Sequence, residues 1–161
     1  MKGKIILLIS LAIVIIILCY HILAKDDGTK LFESTFNINL PNGMKAEEKF
    51  NNYNGPPNEG LKLYNFKFTE KESKKFISEI MKSWNKLPLT EDLELVMYGG
   101  TKEGTEYNFN FSNKTGLPQI KQGYWILKNA HKGILNENSF NFTLAIYDTE
   151  QNLLYLFKID T

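Results

Sequence analysis

Hydrophobic positions divide the chain into two unlike parts. From Ile5 to Leu18 only Ser10 interrupts an apolar run, and Cys19, Tyr20, His21, Ile22 and Leu23 extend it to 19 residues. As a helix that run spans roughly 28 Å, close to the ~30 Å hydrocarbon core of a bilayer. It has no polar face, which separates it from a helix buried in a soluble core. The pattern predicts a transmembrane helix through Ile5, Leu11, Ile17 and Leu23, with Tyr20 and His21 near the far interface. Lys2 and Lys4 before the run predict a cytoplasmic N-terminus and an extracytoplasmic remainder. An uncleaved signal anchor is favoured over cleavage after Ala24, where Ile22 is bulky for the −3 position. It is favoured also over acylation of Cys19, which follows Leu18 rather than a small residue.

Beyond the run, periods of two and of 3.6 take turns. Phe36, Ile38 and Leu40 alternate with asparagines and stop at Pro41-Asn42-Gly43, which predicts a strand and a turn. Residues 44–53 carry a weaker strand signal, 54–60 read as a loop, and 61–68 as a strand rich in Leu, Tyr and Phe. Thr69 and Glu72 form a Thr-x-x-Glu capping box. Phe76, Ile77, Ile80, Met81, Trp84 and Leu87 then make one helical stripe, with lysines and Glu79 on the other face, ending at Pro88. Residues 90–98 fit a helix capped by Thr90 or a strand from Leu93. Residues 107–111 and 124–127 read as strands, and 129–139 as a polar loop or partial helix.

The last third carries the strongest β signal. Phe140, Phe142, Leu144 and Ile146 alternate with Asn141, Thr143 and Ala145, and residues 148–152 supply a turn. The returning segment sets Tyr155, Phe157 and Ile159 on one face and Leu154 and Leu156 on the other, so it is expected to be central or covered on both sides. The inventory predicts an α+β fold: an N-terminal transmembrane helix, then an antiparallel sheet of about five to seven strands with one main amphipathic helix packed on one face. The expected organisation is a stub and anchor at 1–24, a juxtamembrane linker at 25–30 containing Asp26-Asp27-Gly28, and a single domain at 31–161.

Composition narrows the function classes. The 161 residues include 19 basic side chains, all lysine, against 18 acids. Setting aside Lys2 and Lys4 leaves a slightly acidic domain, so no nucleic-acid partner is expected. One cysteine excludes a disulfide framework, and one cysteine with two histidines argues against a zinc site. At 43% hydrophobic and 13% aromatic, the chain has the means to build a core and is not disordered.

Motifs for phosphate loops, dinucleotide binding, zinc proteases and serine hydrolases are absent, so no cofactor, metal or catalytic residue is assigned. His131 is the one histidine outside the apolar run, and no serine or aspartate is placed beside it by sequence. The acid pairs Glu47-Glu48 and Glu91-Asp92 read as surface or helix-terminus residues, since adjacent side chains do not face each other. Tyr124, Trp125, Tyr147, Tyr155 and Phe157 fall on strands that could be neighbours. Most of them are expected in the core under the 76–84 helix; a binding surface of Tyr124, Trp125, His131 and Tyr147 is the sharper alternative.

The chain resembles a group of small uncharacterised single-span membrane-anchored proteins of Firmicutes. The resemblance rests on Phe36-x-Ile38-x-Leu40-Pro41, the 69–84 helix running into Lys86-Leu87-Pro88-Leu89, Gly123-Tyr124-Trp125, and the segment from Asn141 to Asp148. It implies a layout and a location at the plasma membrane, and no catalytic residue. The expected function is a membrane-tethered, non-catalytic binding or interaction domain at the cell envelope, for example an immunity-type inhibitor or an accessory subunit. Its partners would be the lipid bilayer, through the N-terminal helix, and an envelope protein or peptide. The alternative is an envelope hydrolase using scattered carboxylates or His131.

Overall fold

Strict alternation in the last third of the chain becomes the centre of a sheet. In the computed structural model, which describes residues 27–53, 59–130, 133–135 and 139–161, Asn141–Asp148 and Leu153–Asp160 pair as an antiparallel hairpin. The expected membrane span and His131 lie outside those residues. Among the described residues no helix is long and apolar enough to cross a membrane.

In chain order the elements are α1 (Asp27–Phe36), β1 (Glu47–Asn51), β2 (Gly60–Lys67), α2 (Glu70–Ile80), β3 (Asn85–Lys86), α3 (Glu91–Tyr98), β4 (Gly100–Lys102), β5 (Thr105–Tyr107), α4 (Phe111–Thr115), β6 (Gly123–Asn129), β7 (Asn141–Asp148) and β8 (Leu153–Asp160). Six strands form one sheet in the order β1-β2-β8-β7-β6-β3, and every pairing in it is antiparallel. β4 and β5 form a separate ribbon, tied to the start of α3 by Lys102, whose ammonium lies 2.7 Å from Asp92 and 3.0 Å from Glu91. The fold is thus α+β with an antiparallel sheet.

Because side chains alternate across a strand, the sheet feeds two cores. One face carries Leu63, Trp125, Leu144, Ile146, Tyr155 and Phe157 under α3 and α4. The other carries Tyr64, Phe66, Ala145, Tyr147, Leu154 and Leu156 under α1 and α2. Helices therefore cover both faces, not one as expected; β8 is central and buried on both sides, as its two apolar faces required.

α2 is the helix that the capping box announced. Glu72 N–H donates to Thr69 Oγ1 at 3.4 Å, and Thr69 N–H donates to Glu72 Oε2 at 2.8 Å. Its buried Phe76 and Ile80 contribute roughly 1.5–3 kcal/mol each. The helix stops at Ile80, seven residues before the end of the apolar stripe. A tight turn follows, in which Trp84 N–H still donates to Ile80 O, so Trp84 reaches the core while Met81 is left 55% exposed. Residues 85–86 then join β6, where the Trp125 Nε1–H donates to the carbonyls of Lys86 and Pro88.

Two expected elements are replaced. Residues 27–30, expected as linker, are the first turn of α1, and Phe36 closes that helix instead of opening a strand. Gly28 lets α1 lie against the sheet: a Cβ there would be 2.5 Å from Ala46 Cβ and 2.8 Å from the Tyr64 ring. Residues 107–111 split between the end of β5 and the start of α4, with Asn110 in the left-handed region as the helix cap. At the β7–β8 turn the buried Asp148 accepts from Glu150 N–H at 2.8 Å and Gln151 N–H at 3.1 Å.

Candidate functional site

The expected aromatic surface is dispersed by the fold. Tyr147 is 0% exposed, its ring packed among Phe68 and Phe76 beneath α2. Trp125 is 7% exposed and belongs to the opposite core. Tyr124 is half-buried on the α2 side. Tyr124 and Tyr147 are directly paired across β6 and β7 but support packing rather than an open face. The core reading therefore describes these side chains, although Trp125, Tyr155 and Phe157 serve the α3 side and only Tyr124 and Tyr147 face α2.

The acid pairs have structural partners. Glu47 pairs with Lys49, and Glu48 accepts from Asn51 Nδ2 at 3.0 Å. Glu91 and Asp92 both hold Lys102, whose pKa they raise through hydrogen bonds. Among the carboxylates, Glu94 is set apart: burial pushes its pKa upward, against a hydrogen bond from the Leu89 backbone. Beside it, burial and the charge of Glu94 push Tyr98 up to about 12. Glu94 lines neither of the two grooves described next.

The larger groove, about 650 Å³, runs between residues 39–42 and α2. Leu40 and Phe76 lie along it, and its charges balance, Lys71 and Lys75 against Glu72 and Glu79. The Thr69 hydroxyl and backbone N–H already hold Glu72 and lower its pKa. Nothing in that lining selects one sign of charge.

The second groove, about 420 Å³, does. It lies between α1 and the ends of β6, β7 and β8, and the charged residues lining it are Lys128 and Lys158. Ser34, Thr35, Asn141 and Thr143 add hydroxyls and an amide. Strand register explains the concentration of charge. Lys62 stands opposite Lys158, Lys158 opposite Thr143, and Thr143 opposite Lys128. These four positions form one row across four strands, on the sheet face that α1 and α2 cover. At the outer end of the row the Tyr53 ring lies under two of the lysines, with Lys62 Nζ 5.0 Å and Lys158 Nζ 5.5 Å from its centroid. Burial and the nearby Asp160 push the Tyr53 hydroxyl up to about 12.

Sequence reading missed this row because its members are far apart in the chain. Each lysine occupies a polar slot in a largely apolar strand, which is the only local signal. That the three slots coincide depends on strand order and register. No protein-family model, no curated protein and no solved structure matches the chain.

Proposed function

We propose that the protein is a membrane-tethered, non-catalytic binding domain, anchored by the apolar segment at 5–23, whose binding surface is the lysine-lined groove beside α1. The observation that carries this reading is the position of α1. It begins at Asp27, three residues beyond Ala24, and its first turns are locked to the sheet through buried Gly28, Thr29 and Phe32. With so short a connection the anchored segment would hold the α1 face close to the bilayer and raise its effective concentration there. The location is the plasma membrane, with the domain outside, as the lysines before the apolar run favour.

A C-terminal tag, cell fractionation and external protease on wall-stripped cells test the tether. Sedimentation with membranes and loss of the tag to protease are expected. A shortened, soluble product in the medium would replace the anchor with secretion. A membrane-bound but protected tag would overturn the outward orientation.

A further inference from the structure

We propose that the row Lys62, Lys158, Thr143 and Lys128 is a phosphate-binding site whose ligand is a phosphodiester, held between Lys158 and Lys128 over the Thr143 hydroxyl. The proposal rests on the binding reading of the same groove and gives it a ligand class.

Like charges directly opposite each other in an antiparallel pair repel. Lys62 and Lys158 are such a pair, with Cβ atoms about 5 Å apart by ladder geometry. Among the described residues neither they nor Lys128 make an ion pair with a carboxylate. Asp160, two positions beyond Lys158 on the same strand face, is the acid beside the row. The repulsion is partly relieved by the electron-rich face of Tyr53, which also orients the two ammonium groups. A bound anion would relieve it further.

Spacing suits a phosphate. Adjacent strands lie about 4.8 Å apart, so the backbones at Lys158 and Lys128 are about 10 Å apart, with Thr143 between them. Two flexible lysine stems can close on one tetrahedral anion across that gap, as point charges with several donors each. Ser34, Thr35 and Asn141 in the same groove offer hydrogen bonds to the polar groups that an ester carries.

The phosphodiester could belong to an anionic phospholipid or to a soluble ester, and placement favours the lipid. Gly28, at the start of α1, touches Tyr64, which lies two residues from Lys62 on the same strand face. The row therefore begins beside the point where the chain would leave the bilayer. Basic residues near an anionic leaflet gain from its surface potential, and the gain is screened by salt.

The test is lysine footprinting of the full chain with a water-soluble acylating reagent, read by mass spectrometry. Vesicles of phosphatidylcholine alone are compared with vesicles containing roughly a third phosphatidylglycerol. Lys62, Lys128 and Lys158 should lose about fivefold in reactivity in the anionic vesicles, while Lys71, Lys74 and Lys75 on α2 do not change. High salt should restore the lost reactivity. Glycerophosphoglycerol, a water-soluble phosphodiester, added to the chain in detergent forms a separate arm; protection there but not in vesicles would assign a soluble ester as the source. The double variant Lys128→Glu, Lys158→Glu should abolish protection of Lys62. Equal reactivity under every condition would overturn the site, and would leave the tether standing if the chain still floats with phosphatidylcholine vesicles. Protection by glycerophosphoglycerol in a chain that does not float would do the reverse.

Discussion

The ring of Phe76 meets the ring of Tyr147 edge-on, with centroids 5.1 Å apart, and so joins α2 to a central strand of the sheet. Trp84 and Phe68 complete the cluster around them. Phe76→Ala should destabilise the fold by about 3–5 kcal/mol, the usual cost of emptying a large aromatic site. Tyr147→Phe should do the opposite or nothing. Its hydroxyl is buried and makes no hydrogen bond of good geometry, although the buried Ser73 lies beside it. Removing a poorly satisfied polar group can stabilise by about 1 kcal/mol. Urea unfolding of the two variants checks both; a large loss for Tyr147→Phe would mean that the hydroxyl has a partner that matters.

The Thr69–Glu72 capping box gives a second handle. Thr69→Ala should cost about 1 kcal/mol. Hydrogen bonds from the Thr69 side chain and backbone lower the Glu72 pKa in the folded state. The stabilisation is therefore complete above the ordinary carboxylate range and fades as pH falls through the lowered value. Glu72→Gln should lose stability at pH 7 and converge on the parent in strong acid, as read by urea midpoints.

Glu94 should show the opposite sign. Burial raises its folded pKa, so the folded state holds its proton more tightly than the unfolded chain does. Stability then declines as pH rises from the ordinary carboxylate value through the raised one. Glu94→Gln should have a higher urea midpoint than the parent at pH 7 and no advantage near pH 4. An unchanged midpoint at both values would show that Glu94 is fully solvated.

At Gly123 the backbone of β6 leaves no room for a side chain against β7. A Cβ there would lie 1.8 Å from the Tyr147 carbonyl oxygen, at a φ of +149°. Gly123→Ala should therefore cost about 3 kcal/mol or more, through backbone displacement at the Gly123–Asp148 pair. Gly116→Ala, with open space around it, should cost less; equal losses would point to unfolded-state effects instead.

What could be read from the chain depended on whether a pattern needed a partner. The α2 cap and the β7–β8 alternation are local, and both stand where the residues placed them. Phe36, Ile38 and Leu40 do alternate in burial with Asn37 and Asn39, yet they form no strand. Alternation reports which side of an extended segment is covered, and the backbone there bonds elsewhere: Leu40 N–H donates to Glu33 Oε1 at 3.1 Å. The same holds at Tyr107, Phe109 and Phe111, where extended chain turns into a helix at a left-handed Asn110. α1 was hidden by its polar, glycine-containing start, which reads as linker until Tyr64 and Ala46 are seen against Gly28. The lysine row could not be found at all without register, because no two of its members are near in sequence.

Asp148 has a larger reach than its two hydrogen bonds suggest. By accepting from both N–H groups it holds the turn at the length that sets Asp148 opposite Leu153. A slip of one residue would reverse one strand of the hairpin relative to the other and turn its buried side chains toward the wrong core. It would also take Lys158 out of line with Thr143. One carboxylate at the end of a hairpin thus helps to set the register that brings Thr143 opposite Lys158, five residues along β7.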